Sequence, residues 1–539
     1  QNLAELRTIQ DWFIRFGLAK AGGVAEVASV GGFVKQYSVV IDPRRLQALG
    51  IPLSKIRDVI RDSNMDVGGR TIEVAETEFA VRGRGYIKTI ADLEQIVVKS
   101  DGGVPVLLKD VARVELTPDE RRGITEMNGE GEVVSGIALQ RYGENALSVI
   151  QNVKDRLAEM APSLPEGVSV EAVYDRSDLI YRAVDTLKRT LLEESAIVAL
   201  VCVIFLLHVR SALVAIITLP LGVLIAYVCM WLLGLSSNIM SLGGIAIAIG
   251  AMVDAAIVMI ENAHKRLEQA PPDKPRREVL IEAAVEVGPA LFFSLLIITV
   301  SFLPIFALEA QEGRLFKPLA YTKTFAMGAA ALLSVLLVPA LMMLFVRGRI
   351  IPERRNPLNR LLIWLYRPVI GLALRFKADT IALAILILAV SLWPASKLGS
   401  EFMPTLNEGT LFYMPVTLPG ISVTKAAELL QTQAKIIKSF PEVASVWGKA
   451  GRAATATDPA PTEMVETVIN LKPESEWRPG MTVDRLVADM DKELQFPGVS
   501  NAWTMPIKAR IDMLSTGIRT PVGVKVYGTD LAEMEKLAR

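Results

Sequence analysis

Residues 250–266 read GAMVDAAIVMIENAHKR and continue an apolar run that begins near Asn238. The run is long enough to cross a bilayer, yet Asp254 sits in its middle. An ionisable side chain at that depth is costly and marks a functional site by default. Desolvation disfavours the charged form of a carboxylate, so such a group gains and loses protons as water access changes. Glu261 lies seven residues on, two helical turns, and falls on nearly the same face as Asp254. Met252 and Met259 are also seven apart, and Met252 is turned roughly 200° from Asp254. An acid column and a thioether column therefore look in nearly opposite directions.

Outward from this segment the chain has two characters. It holds 539 residues, more than one domain needs, with 51% hydrophobic and 22% charged. Further apolar spans are expected at 190–209, 212–234, 238–260, 288–308, 322–346 and 379–397, six in all, the first weakened by Glu193 and Glu194. Residues 357–377 interleave Arg and Lys with Leu, Ile and Trp and read as an interfacial helix. The loops HKRLEQAPPDKPRR (264–277) and RGRIIPERRNPLNR (347–360) are basic, which assigns their side to the cytoplasm. The remainder alternates strand patterns (QYSVVID, EFAVRG, EQIVVKS, GVSVEAVYD, TLFYMPVTL, EMVETVINLKP, VGVKVYG) with helical ones.

The expected fold is thus a multi-domain membrane protein. A helical transmembrane bundle joins α+β periplasmic porter and docking domains built of βαβ sandwiches. Its parts are a periplasmic region at 1–186, five spans within 187–346, a cytoplasmic loop and interfacial helix at 347–378, the sixth span at 379–397 and a second periplasmic region at 398–539. The chain opens QNLAELRTIQ and closes GTDLAEMEKLAR, and both ends read as cut from a longer protein. Zero net charge gives no field directed at nucleic acid. Cys202 and Cys229 both fall in apolar runs and form neither a disulfide framework nor a CxxC pair. No GxxxxGK[ST] phosphate loop is present, which disfavours an ATP-driven pump.

Residues 250–268, 285–306, 309–327 and 401–415, with 460–482 and 510–526, resemble the heavy-metal efflux branch of the resistance–nodulation–division transporters, and more narrowly its copper/silver members. The resemblance runs from end to end. It implies an inner-membrane, multi-pass proton/metal antiporter, a secondary transporter and not an enzyme. It also implies a homotrimer with a periplasmic membrane-fusion adaptor and an outer-membrane channel, and about twice this length for the full subunit. No permanent cofactor is implied: Cu(I) or Ag(I) is cargo and the proton is the coupling ion.

The family's relay aspartate falls on Asp254, with Glu261 as a second candidate, and its periplasmic methionine triad on Met414, Met464 and Met513. Spacing alone would leave these methionines as packing residues. Ligand chemistry makes the set sensible, because soft neutral thioethers favour Cu(I) and Ag(I) over Zn²⁺. The only histidines are His208 and His264, both at the cytoplasmic ends of spans, and neither soluble region contains Cys. The resemblance also implies a metal path through Met240, Met252, Met259 and Met327, and charged groups near the site at Glu408, Asp458, Glu466, Arg510 and Arg519. A further path methionine is replaced here by Glu120, and Met403 and Met505 have no assigned role. Divalent-metal members often carry a second acid at the position of Ala248. The alternatives are a Zn/Co/Cd pump using Glu408, Asp458 and Glu466 as oxygen ligands, a drug exporter, or a receptor of related fold.

Overall fold

The computed structural model describes residues 2–271, 273–348, 356–399, 407–517, 524 and 526–538. It divides into two units, residues 176–405 and residues 1–175 together with 406–539.

The first of these is helical: α1 (Ser177–Leu206), α2 (Val209–Leu232), α3 (Ile239–Gln269), α4 (Arg276–Val300), α5 (Ala310–Phe345), α6 (Pro357–Arg375) and α7 (Lys377–Lys397). Five described helices are long and apolar enough to cross a membrane: α2, α3, α4 with the turn that follows it, α5 and α7. The expected span at 190–209 is not among them. It lies in α1, where Arg189, Glu193 and Glu194 leave only 195–206 uncharged, a rise of roughly 18 Å against a hydrocarbon core of about 30 Å.

Helix α3 is the centre of the bundle and packs against α1, α2, α4 and α5. Asn238 opens it, its side chain accepting from the Ser241 amide at 2.9 Å. Gly244 lets α5 come close: a Cβ there would stand 2.5 Å from the Leu319 carbonyl oxygen. Helix α5 starts at Ala310, twelve residues before the expected span at 322–346. The amphipathic segment expected at 357–377 is the helix α6, with no buried residue.

In the other unit, strands that precede and follow the helical unit in sequence form one sheet. The strands are β1 (Gly123–Met127), β2 (Gly131–Glu132), β3 (Thr410–Tyr413), β4 (Val443–Gly451), β5 (Val465–Leu471) and β6 (Trp503–Thr504), in the spatial order β6-β3-β5-β4-β1-β2, all antiparallel. Helices α8 (Val423–Lys438) and α9 (Val483–Glu493) cover one face. Their Leu430, Ala434, Ile437, Leu486 and Met490 meet Tyr413, Val446, Val465 and Ile469 there. The opposite face packs Trp447, Val468 and Phe412 against Ala28 and Val30. A separate small core of Leu46, Ile56, Leu93, Leu108 and Val111 lies beside the ladder of Lys35–Ile41 with Ala112–Pro118.

Most expected strands are found, including Lys35–Ile41, Thr77–Gly83 and Val97–Asp101. GVSVEAVYD (167–175) is not a strand: the Val173 carbonyl accepts from the Asn470 side chain at 2.7 Å instead of from a neighbouring strand. In VGVKVYG (522–528), residues 522, 523 and 525 lie outside the described residues, and Val524 with 526–528 form no strand.

Candidate functional site

The soluble site is built by register. Tyr413 pairs with Thr467, and Val416 bridges to Met464, so the same register continues past the end of β3 and sets Met414 opposite Glu466. Glu466 pairs with Lys449 on β4, and Lys449 with Thr125 on β1. One row across the sheet therefore reads Thr125, Lys449, Glu466, Met414. Side chains alternate along a strand, so Met464 shares this face, diagonal to Met414. Tyr413 and Val465 point the other way, into the layer under α8.

Met414 is fully buried, and its backbone amide donates to the Ala502 carbonyl at 2.8 Å. Met464 is half-buried. Met513 lies on α10 (Pro506–Thr516), which packs against β3. Met505, Ala509 and Met513 form one stripe at four-residue spacing, and the first two are buried.

Glu408 closes the amino end of α10. Its carboxylate accepts from the amides of Ile507 (3.0 Å) and Lys508 (3.1 Å), a favourable place for negative charge. Its own amide donates to the Met505 sulfur at 3.3 Å, so Met505 is a packing residue that also holds this cap. Asp458 and Glu466 share one cation, the Lys449 ammonium, at 2.9 and 2.8 Å. Burial opposes ionisation of Asp458, but the Ala453 amide, Lys449 and the Ala460 amide outweigh it and hold its carboxyl below the usual range. Burial would likewise lower Lys449, yet Glu466 and Asp458 raise it above the ordinary lysine value. Sequence reading missed Lys449, which only cross-strand register brings to the site. Arg510 is exposed, Glu120 is exposed and pairs with Arg122, and Arg519 and Met403 lie outside the described residues.

The six-stranded sheet holds one more buried charge. Glu126 is 1% exposed, on the α8 side of β1, and neither of its oxygens has a hydrogen-bond partner among the described residues. Burial pushes its carboxyl up to about 7, against the pull of the Gly129 and Gly131 amides.

In the helical unit, α3 sorts its two columns as the spacing predicts. Met252 and Met259 are buried, while Asp254 and Glu261 are exposed. The burial expected around Asp254 is absent among the described residues: it shares with Ile247 and Gly250 an exposed stripe that no other described helix of this unit covers. Met252 and Met327 belong to one packed cluster, and Met259 to another with Met342. Met240 is half-buried. Ala248 is fully buried in the Met252 cluster. Lys323 is a second ionisable group within a helix long and apolar enough to cross a membrane, and the sequence reading did not single it out. It lies well inside α5, buried, with its ammonium 3.4 Å from the centre of the Phe302 ring. Among the described residues no group of three His, Cys, Asp or Glu side chains is placed to hold a metal ion.

Comparison with known proteins accounts for the whole chain. It is 56% identical over 546 residues to the "Cation efflux system protein CusA" of Escherichia coli K12, covering all of this chain and 52% of that protein. It is 54% identical over 547 residues to the "Putative cation efflux system protein SilA" of Salmonella typhimurium, with the same coverage. The "Cobalt-zinc-cadmium resistance protein CzcA" of Cupriavidus metallidurans is 34% identical, with 99% of this chain and 51% of that protein covered. The chain thus spans about half the length of these relatives. A crystal structure of a heavy metal efflux pump superimposes with a TM-score of 0.87 at 30% identity, over 100% of this chain and 52% of that one. The model of the AcrB/AcrD/AcrF family matches residues 1–539, and the chain belongs to that family of resistance–nodulation–division pumps.

Proposed function

We propose that this chain is part of a proton-driven exporter of Cu(I) and Ag(I). The observation that carries the reading is the register that sets Met414 and Met464 on one sheet face; α10, the helix that contains Met513, packs against β3. The unit that holds them contains neither His nor Cys. Three neutral thioethers suit a soft monovalent ion and need no deprotonation to bind it. Oxygen ligation of a divalent ion is less well supported. Glu408 is spent on the α10 cap, and Asp458 and Glu466 on Lys449.

In this reading the metal binds at the triad in a periplasmic cleft of an inner-membrane protein. The second half of α1 serves as a sixth span, its charged residues at the interface. Met240, Met252, Met259 and Met327 offer thioethers along the bundle. Asp254, with Glu261 on the same face, takes and releases the coupling proton. Coupling requires that the protonated and ionised forms favour different arrangements of the spans. The full-length protein works as a homotrimer with a periplasmic adaptor and an outer-membrane channel. Titration of the full-length protein with Ag⁺ and Zn²⁺ side by side tests the cargo: Ag⁺ binds more tightly at the triad, and preferential Zn²⁺ binding overturns the assignment.

A further inference from the structure

The chain's two histidines meet at one hydroxyl, at the end of the bundle where the basic loops lie. Ser211 Oγ is 2.7 Å from His208 Nδ1 and 2.7 Å from His264 Nε2. The hydrogen bonds admit one assignment of protons. The Ser211 backbone N–H donates to His208 Nδ1 at 3.2 Å, so that nitrogen carries no proton. His208 Nε2 therefore does, and donates to the Arg347 carbonyl at 3.0 Å. The Ser211 hydroxyl donates to His208 Nδ1, and its oxygen accepts from His264 Nε2–H. The chain of donors runs from His264 through Ser211 and His208 to the carbonyl of Arg347, and it requires a neutral His208.

His208 is also the residue that caps α2, with extended backbone and its ring in the place of the usual Ser or Asp oxygen. These contacts bind the start of α2 to the last turns of α3 and to the segment after α5. Arg276, at the start of α4, clamps the same segment by donating to the Gly348 carbonyl at 2.9 Å. The charged or titratable neighbours are Arg210 on α2 itself, Arg276 on α4 and the His264 ring on α3. No acidic side chain pairs with either ring among the described residues.

We propose that His208 is a proton-operated clasp for the ends of these helices. When neutral, it caps α2 and holds α3 and the chain after α5. A proton on Nδ1 would face two donors, the Ser211 amide and hydroxyl, and place a cation at a helix amino terminus within the repulsive field of Arg276 and Arg210. The clasp is therefore closed above the imidazole range and opens as pH falls below it. This coupling of pH on the basic-loop side to the freedom of the span ends holds whichever ion is carried.

Hydrogen exchange of the full-length protein in lipid nanodiscs tests it. After correction for intrinsic exchange, opening of the amides at 211–214 rises ~10-fold in the wild type between about pH 8 and about pH 5.5, a range that brackets imidazole titration. His208→Asn keeps an acceptor at the cap but has no proton to gain, and its opening stays within ~2-fold over the same range. A parallel rise in the variant, or no rise in the wild type, overturns the clasp. A check free of any variant is the ¹⁵N imidazole spectrum of the wild type at neutral pH. It shows His208 as the Nε2–H tautomer, and an Nδ1–H tautomer contradicts the proposal.

Discussion

Lys449 Nζ lies 2.8 Å from Glu466 on the neighbouring strand, and only 5% of the lysine side chain reaches solvent. The pair stands in the row that ends at Met414, so it fixes the charge beside the proposed metal site. Two carboxylates depend on this one cation, because Asp458 is 2.9 Å from the same nitrogen.

Lys449→Met leaves Asp458 and Glu466 close together without their counter-ion. The loss is expected at about 3–5 kcal/mol, the usual cost of removing one partner from a buried pair. Hydrogen exchange in β4 of the full-length protein reads it directly. The sign with pH follows from the two shifts. Asp458 is lowered, so its contribution is present above the ordinary Asp range and lost as pH falls through the lowered value. Lys449 is raised, so its contribution is present below the ordinary lysine range and lost as pH rises through the raised value.

Glu126 acts in the opposite sense. A raised folded-state value means that stability is full below about 4.3, the unfolded glutamate value, and declines as pH rises through about 7. Glu126→Gln is therefore expected to stabilise β1 and its neighbours by about 1–3 kcal/mol at pH 8, on the scale of 1.36 kcal/mol per pKa unit, and to change little near pH 4. Local exchange of the β1 amides at the two pH values checks this, and a variant that gains as much in acid contradicts it.

The thioether of Met252 occupies the space beside Gly222 on α2: a Cβ at that glycine would stand 2.8 Å from the sulfur. Gly222→Ala should lower stability by about 1–2 kcal/mol through overpacking. Combined with Met252→Ala, the cost should be less than the sum of the two, since the second change removes the clash. Thermal unfolding of the full-length single and double variants in one detergent provides the measurement.

Asp254 faces away from the helices of its own unit, and no hydrogen bond or ion pair reaches it among the described residues. Asp254→Asn keeps the shape and removes the titrating proton. Transport by the full-length protein in proteoliposomes should stop, while metal binding stays within about 2-fold, because Asp254 belongs to a different unit from the triad residues. Pumping at the wild-type rate rejects the relay.

The sequence made the bundle legible because a bilayer leaves a coarse signature, and Asp254 stood out within it. Helical phase also separated Met252 and Met259 from Asp254 and Glu261 before any fold was known. It could not show that Asp254 would be uncovered, since burial depends on which helices pack where. Lys323 escaped notice because α5 continues past the apolar segment used to define the span, through charged residues at 312–317. The soluble site was the least legible part. Met414 and Met464 belong to different strands, and Lys449 to a third, so only register brings them together. Glu408 looked like a ligand candidate, and nothing local to it announces a helix that begins a hundred residues later.

Met414, Met464 and Met513 are proposed to hold a soft monovalent ion. Silver X-ray absorption on the full-length protein, loaded with one equivalent of Ag⁺, tests it most directly. The expected spectrum shows a sulfur-only first shell, and replacing all three methionines by Ile removes both that shell and high-affinity uptake. A shell of oxygen or nitrogen, or unchanged affinity in the triple variant, contradicts the account.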